Sequence, residues 1–174
     1  GQNTTTFKNC IVRNNNAENY AGLGYATIVG CLIYSNSGWN NSAPVVTSRL
    51  VNSVVYGNGG GAGNPWTTGG ATNSTVVNSI IWANGGAGQV YSCPSVTYSI
   101  IQGGYSGVGN LSLNPFFLNP SSADFSLQST SPAINAGNPD LNNVGISYLF
   151  DTQDQDPDGT RMDIGALYYS LGPI

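Results

Sequence analysis

The sequence predicts an all-β fold, a right-handed single-stranded parallel β-helix of about five coils with an irregular C-terminal cap. Three observations support this prediction. A seven-residue motif recurs every 20 to 26 residues, its apolar positions are mostly β-branched, and Gly and Asn stand between the short apolar runs. The 174 residues suffice for one domain with a sizeable core. We therefore assign residues 1–109 to the coils and residues 110–174 to a capping segment of the same domain.

The repeat takes a Cys or Ser residue as its origin. This residue falls at positions 10, 31, 53, 79 and 99, so successive copies begin 21, 22, 26 and 20 residues apart. The longest interval contains the Gly-rich segment 59–66, which is typical of an inserted loop. Leucine-rich repeats have a similar period. They are disfavoured here because no ten-residue stretch shows helical periodicity.

Each copy predicts a short strand at its paired apolar positions, and a further short strand precedes it, as at residues 26–29 and 74–77. Gly and Asn provide the turns between strands. Coils stacked about 4.8 Å apart would pair their backbones with the coils above and below. The five copies occupy residues 9–15, 30–36, 52–58, 78–84 and 98–104.

Stacked coils place equivalent side chains in ladders along the solenoid axis. The predicted structural ladder consists of Asn15, Asn36, Asn58 and Asn84, which end the first four copies. Asn tolerates a left-handed backbone at a turn, and its amide can bond to the amide of the next coil. The Cys and Ser origins predict a second ladder of small residues.

The cysteines number three, so they cannot all pair within the chain. Cys10 and Cys31 are one repeat apart and are expected to stack in adjacent coils. Stacking holds side chains parallel at the coil spacing, whereas a disulfide requires Cβ atoms within about 4.5 Å and a twisted torsion. We expect free thiols. Because the chain has no His, zinc-type ligand spacing is absent as well.

The charge content excludes two classes of partner. Only 7% of the residues are charged, compared with about a quarter in a typical soluble domain, and the net charge is −4. Four cationic side chains make no basic patch for nucleic acid. No apolar run approaches the roughly 20 residues that span a bilayer, so direct membrane insertion is not expected. A surface of amides and hydroxyls suits an extracellular protein.

The C-terminal half contains an ordered series of short motifs, among them Asn-Pro-Phe-Phe, Ser-Pro-Ala-Ile-Asn-Ala-Gly and Asp-Ile-Gly-Ala. The series occupies segments 78–84, 98–105, 114–117, 124–128, 131–137, 156–161 and 163–166. Through these motifs residues 75–167 resemble the choice-of-anchor Q type family, secreted right-handed parallel β-helices common in Bacteroidota, whereas residues 1–74 match only as generic coils. The resemblance implies secretion and display at the bacterial outer-membrane surface, often with an anchoring segment downstream, and no single activity. The family's closing Glu is absent, since Leu167 and Tyr168 stand there.

Two classes of function follow from these observations. The favoured class is a noncatalytic surface module, an adhesin, glycan-binding stalk or subunit of a surface assembly, taken from a longer protein. Its partner would be a polysaccharide or another surface protein. The alternative is the C-terminal part of a polysaccharide lyase or hydrolase whose active coils lie upstream. The five repeats contain no Asp or Glu, and their one cation is Arg13, so we predict no catalytic residue in this chain.

Aromatic residues are the candidate carbohydrate-binding positions. Tyr34, Tyr56 and Trp82 share one repeat position, so stacked coils would place their rings in a row. Such rings could stack on sugar rings, or they could stack on each other and cover the strand edge. Trp39 and Trp66 lie in polar, Gly-containing segments and are secondary candidates that could equally hold their loops in place.

The acidic run near the C-terminus is the candidate metal site, for calcium. Asp154, Asp156 and Asp158 alternate and are followed by Gly159, as at the start of a calcium loop. Asp163 could reach back to the same ion. The twelfth position is Gly165 and not a bidentate Glu, so a full EF-hand loop is excluded. The alternative is a solvated cap in which these carboxylates bond Arg161 and turn amides.

Overall fold

The chain winds into a parallel β-solenoid with almost no helix, as the repeat predicts. The structure, a computed structural model, describes residues 5–19, 21–41, 43–59, 68–142, 145–146 and 148–171, without the side chains of 19 and 39–41. Among the described residues there are two 3-10 helices, Pro120–Ser122 and Thr152–Asp154. Neither is long and apolar enough to cross a membrane.

The strands are short, with two to five residues each, and alternate with turns. In chain order they are β1 (Thr5–Lys8), β2 (Ile11–Arg13), β3 (Asn16–Asn19), β4 (Leu23–Gly24), β5 (Ala26–Val29), β6 (Leu32–Tyr34), β7 (Ser37–Asn41), β8 (Val45–Val46), β9 (Arg49–Val51), β10 (Val54–Tyr56), β11 (Ala71–Thr72), β12 (Thr75–Val77), β13 (Ile80–Trp82), β14 (Val90–Tyr91), β15 (Ser95–Thr97), β16 (Ile100–Ile101), β17 (Phe117–Asn119) and β18 (Asp124–Leu127).

Three parallel sheets form the walls of the solenoid. Sheet A has the order β1-β5-β9-β12-β15, sheet B has β2-β6-β10-β13-β16, and sheet C has β4-β8-β11-β14. Strands β3 and β7 form a further parallel pair, and β17 and β18 form an antiparallel hairpin. Within the described part of the chain, five strands in sheets A and B correspond to about four turns. Right-handed winding and a count of five complete coils stay predictions.

Among the described residues, each strand of sheets A and C, and each of the first four strands of sheet B, is followed directly by a residue in the left-handed backbone region. Before the Asn ladder these residues are Asn14, Ser35, Gly57 and Ala83, with φ between 54° and 59°. The prediction that the ladder Asn residues themselves are left-handed was therefore wrong. The turn is made one residue earlier, and this leaves the Asn backbone N–H free to point at the next coil.

The predicted Asn ladder is continuous through the solenoid. The Asn15 side-chain amide donates to Oδ1 of Asn36, that of Asn36 to Asn58, and that of Asn58 to Asn84, each at 2.9 Å. Each backbone N–H donates to the same acceptor at 3.0–3.1 Å. Asn36, Asn58 and Asn84 are buried. Because each acceptor oxygen receives two donors from one coil, the side chains hold adjacent coils in one register.

The small-residue ladder runs along a second corner. The backbone N–H of Cys10 donates to Sγ of Cys31 at 3.4 Å, and that of Cys31 donates to Oγ of Ser53 at 3.1 Å. Ser79 and Ser99 continue it at 3.2 and 3.1 Å. Cys10 and Cys31 thus stack in adjacent coils as free thiols, and Cys93 is also free. Burial raises the pKa of the Cys31 and Cys93 thiols, which keeps them protonated.

Inward-facing aliphatic side chains fill the solenoid. Ile33, Val55, Ile81 and Ile101 follow one another along sheet B, and all are fully buried. Ile28, Leu50 and Val76 form the facing row on sheet A and are also fully buried. β-branched side chains suit this interior because they pack well on a pleated surface that is stacked at a fixed spacing.

The segment after the last coil has two parts. Residues 105–111 cross the open end of the solenoid. There Asn110 Oδ1 accepts the N–H of Ser99 at 3.0 Å, and Leu111 forms an isolated parallel β-bridge with Ile100. From residue 115 onward the chain returns along the outer face of sheet B instead of staying on the last coil. There Phe117, Phe125 and Ile164 pack on the outward row that contains Val54 and Ile80. The tail thereby builds a second apolar cluster outside the solenoid.

Candidate functional site

The aromatic row predicted from the repeat lies on the outer face of sheet B. Tyr34 pairs in register with Tyr56, and Tyr56 pairs with Trp82. Arg13 precedes them in the same row, and its Nη1 donates to the Tyr34 hydroxyl at 3.3 Å. Successive strand residues alternate between faces, so these rings point away from the interior that Ile33 and its equivalents fill.

The β17–β18 hairpin covers the first two rings of this row. The ring centroid of Phe125 lies 5.2 Å from those of both Tyr34 and Tyr56, and Phe117 lies 5.7 Å from Tyr56. Phe117 and Phe125 are themselves 5.3 Å apart and nearly perpendicular. Tyr34 is left 9% exposed. Its ring face contacts protein, whereas Tyr56 and Trp82 stay half-buried at the edge of the hairpin.

A cavity of about 200 Å³ opens where the hairpin meets this end of the row. Trp82 and Tyr56 form its solenoid side, and Phe116 and Phe117 form its tail side. Two amides, Asn114 and Gln128, and two prolines complete the lining. We call this the Trp82 pocket, and its lining residues are Tyr56, Trp82, Asn114, Pro115, Phe116, Phe117, Pro120 and Gln128.

Phe116 is held at the pocket by a strained backbone. Its φ is 49°, a region that bulky side chains rarely adopt, and it lies outside the corners of the solenoid. Asn114 Oδ1 accepts its N–H at 2.8 Å, and its carbonyl accepts the N–H of Gln128 at 2.9 Å. Ser131 Oγ donates to the carbonyl of Pro115 at 2.6 Å. These bonds keep the Phe116 ring 43% exposed, although burial would stabilise it.

Each of the two amide side chains of the pocket uses one of its ends for a hydrogen bond to the backbone. Asn114 accepts through Oδ1, and Gln128 donates through Nε2 to the carbonyl of Phe117 at 2.9 Å. These contacts fix which end of each amide is oxygen. Within the described residues, Asn114 Nδ2 and Gln128 Oε1 have no protein partner. The lining residues of the pocket therefore combine aromatic rings with two amide groups, one with its donor end free and one with its acceptor end free.

The secondary aromatic candidates lie outside the described side chains. Trp39 belongs to strand β7, of which only the backbone is described at that position, and Trp66 lies outside the described residues. Both stay predictions.

The acidic residues predicted as a calcium site are mostly buried and accept backbone amides. Asp154, Asp156 and Asp163 are 0%, 7% and 4% exposed, so they are not solvated as the alternative of a solvated cap expected, although they do accept backbone amides as it expected. Asp154 Oδ1 accepts the N–H of Leu141 at 2.7 Å, and Asp158 accepts from Thr160 and Leu171. The Leu171 N–H is the main reason that the pKa of Asp158 is lowered.

Asp156 and Asp163 form a buried pair where the tail meets the first coils. Asp156 Oδ2 accepts the N–H of Asp163 at 2.8 Å, and Asp163 accepts the N–H groups of Asn135 at 2.7 Å and Tyr169 at 2.6 Å. Burial, followed by repulsion from Asp163, raises the pKa of Asp156 to about 7. Burial also raises the pKa of Asp163. When the pair holds one proton, we assign that proton to Asp156, because the two N–H groups that Asp163 accepts favour its charged form.

This pair lines a second cavity, of about 340 Å³, together with Lys8, Asn9 and Tyr168. Arg161 does not enter the space between the carboxylates. It donates through Nε to the carbonyl of Gly137 at 2.6 Å and lies over the Tyr98 ring. In the part of the chain that the structure describes, no three Cys, Asp or Glu side chains are grouped to hold a metal. Calcium stays a prediction from the spacing.

Comparison with protein-family models, curated proteins and solved structures finds no match for this chain. The family resemblance therefore stays a prediction, and the case for a function depends on the geometry of the molecule.

The solenoid side of the Trp82 pocket was predicted from the sequence, and its tail side was not. Tyr56 and Trp82 were found from their repeat position. Phe116, Asn114 and Gln128 lie in the segment 110–174, which was assigned to the cap. The signal that could have found them is the Asn-Pro-Phe-Phe segment itself, because an Asx-type turn before two large apolar residues leaves one of them exposed.

Proposed function

We propose that this chain is a noncatalytic extracellular module that binds polysaccharide through the Trp82 pocket. One observation carries the proposal. Trp82, Tyr56 and the strained Phe116 line one cavity together with Asn114 and Gln128, whose amides each keep one end without a partner among the described residues. Sugars expose both apolar C–H faces and hydroxyl groups, so this combination suits them.

The rest of the molecule is suited to a scaffold. The Asn and Ser side chains at the corners hold adjacent coils together, and the buried carboxylates accept backbone amides of the tail. These polar groups stabilise the fold. A stacked solenoid is also a rigid spacer, as an adhesin or a glycan-binding stalk at the bacterial outer-membrane surface requires.

Affinity electrophoresis tests this function. Gels that contain single polysaccharides should retard the chain with at least one of them, and Trp82→Ala should migrate as in a gel without polysaccharide. Tyr34→Phe is the matched control, because its ring is covered by Phe125, and it should be retarded like the parent chain. The polysaccharide recovered from the gel should show no new reducing ends.

Two outcomes would contradict the proposal. Retardation of Trp82→Ala equal to that of the parent would show that the polysaccharide binds outside the pocket. New reducing ends or unsaturated products, made by the chain itself, would favour a polysaccharide-degrading enzyme.

A further inference from the structure

We infer that the Trp82 pocket selects one uncharged sugar ring, a unit of a neutral polysaccharide, and rejects uronic or sulfated sugars. This inference deepens the proposed function and depends on it. Three properties of the pocket lead to it: the charge of its lining, the orientation of its amides and its size.

The lining carries no charged side chain. Aromatic residues, two prolines and the two amides make up the whole wall. A carboxylate or sulfate placed there would lose water and find no Lys or Arg to pair with, and an unpaired buried charge is costly. The hairpin that forms one wall contains a single charged residue, Asp124, which is an acid and offers an anion no partner. An acidic sugar is therefore disfavoured.

The amides match the hydroxyl groups of a neutral sugar. A hydroxyl group both donates and accepts, so it can accept from Asn114 Nδ2 or donate to Gln128 Oε1. The backbone partners of the two residues fix these orientations before any ligand arrives, so neither amide has to be reoriented. A site that requires a donor and an acceptor at set positions also rejects analogues that lack the hydroxyl.

The size of the pocket limits the ligand to one ring. Its volume of about 200 Å³ lies below the roughly 300–1,000 Å³ of sites for drug-sized ligands. Trp82 offers a flat face for the C–H side of one pyranose, and the exposed Phe116 ring lies in the same lining. Neighbouring sugar units would then extend into solvent, which allows the pocket to engage a unit of a long polymer.

The test uses pairs of polysaccharides that differ only in charge. Polygalacturonate, polymannuronate and polyglucuronate are each compared with the carboxyl-reduced polymer of the same linkage, and binding to the whole chain is measured by isothermal titration calorimetry. At least one reduced polymer should bind, and its acidic parent should bind at least tenfold more weakly. An acidic parent that binds as tightly as its reduced form would overturn the inference and leave polysaccharide binding intact.

Binding by none of the six polymers, nor by uncharged glucans and xylans added to the panel, would instead contradict the proposed function itself. The two failures are thus distinguishable.

An amide variant tests the same inference from the protein side. Asn114→Asp keeps the oxygen that accepts the Phe116 N–H, but it loses the free donor and adds a negative charge. It should weaken binding of the neutral polymer at least tenfold while the melting temperature stays unchanged. Asn16→Asp adds the same charge at an exposed position of strand β3 outside the pocket lining and should bind like the parent chain. Equal affinity of Asn114→Asp and parent would contradict the assignment.

Discussion

Gln89 terminates the Asn ladder by taking the place that an Asn of a further coil would occupy. The Asn84 side chain donates to Gln89 Oε1 at 2.8 Å, and the Asn84 backbone N–H donates to the same oxygen at 3.2 Å. Gln89 Nε2 then donates back to the Asn84 carbonyl at 2.9 Å. The longer Gln side chain thus closes the ladder from within the same turn, only five residues along the chain.

Removal of an internal ladder amide should destabilise the fold strongly. Asn58→Ala leaves two buried donors of Asn36 without their acceptor and removes the Asn58 donations to Asn84 and to the Ile33 carbonyl. Several lost bonds with unsatisfied buried groups predict a loss of about 2–4 kcal/mol in the free energy of unfolding. Urea denaturation followed by circular dichroism measures it.

Asn15→Ala is the matched control at the exposed end of the same ladder. It removes the same amide where solvent can replace it, so the expected loss is below about 1 kcal/mol. Similar losses at both positions would mean that the ladder does not act through buried hydrogen bonds.

The second apolar cluster should be a major source of stability. Phe125 is 2% exposed and contacts Tyr34, Tyr56 and Phe117, so Phe125→Ala should cost about 3–5 kcal/mol of unfolding free energy. Phe150→Ala removes an equal side chain that is 81% exposed, and its effect should stay within about 0.5 kcal/mol. Equal effects of the two variants in guanidinium denaturation would contradict the packing of the hairpin on sheet B.

Stability should fall as the pH rises from about 4 to 7. The pKa of Asp156 is raised to about 7 in the folded chain, whereas an Asp in the unfolded chain has a pKa of about 3.9. In this range the folded state holds a proton that the unfolded state has released, so each increase in pH favours unfolding. The melting temperature should therefore decrease through this window and level off above it.

Asp156→Asn should flatten this profile, because the neutral amide mimics the protonated acid and its oxygen can still accept the Asp163 N–H. Asp124→Asn is the control. The pKa of Asp124 is lowered by its hydrogen bonds to Ser126, so it titrates below the window and should leave the slope unchanged. A slope that persists in Asp156→Asn would assign the effect to another group.

The calcium hypothesis predicts a higher melting temperature in millimolar calcium. Extracellular modules bind calcium with Kd of about 10⁻⁴–10⁻³ M, so millimolar calcium is a roughly one- to tenfold excess over Kd. An ion bound only to the folded state then adds about 0.4–1.4 kcal/mol of stability. Scanning calorimetry with calcium and then with chelator measures the shift, which Asp154→Asn should reduce. Identical midpoints in both conditions would leave these carboxylates as acceptors of backbone amides alone.

The solenoid could be predicted from the sequence because its contacts repeat. Asn36 meets Asn58, and Cys10 meets Cys31, at the spacing of one copy of the motif, so the period alone gives the register. The left-handed residue was placed one position too late, because Asn at a turn favours that backbone but Ser35 and Ala83 occupy it here.

The path of the tail could not be predicted in this way. Its contacts, such as that of Phe125 with Tyr34, join distant segments that share no periodicity. Phe116 was missed for a related reason, since the Asn-Pro-Phe-Phe segment indicates a turn but its place at the pocket also depends on the hydrogen bond between its carbonyl and Gln128, twelve residues along the chain. The polar half of the pocket is therefore a product of tertiary packing.

Variants that each keep a single tryptophan test most directly whether Trp82 contacts the polysaccharide. The chain contains three, Trp39, Trp66 and Trp82, and three variants can each keep one of them with Phe at the other two positions. Each variant is titrated with the neutral polysaccharide that retards the parent chain, and tryptophan emission is recorded. A saturable emission change, with the Kd found by calorimetry, is expected in the variant that keeps Trp82. No change in that variant, together with a saturable change in the variant that keeps Trp39 or Trp66, would contradict that contact.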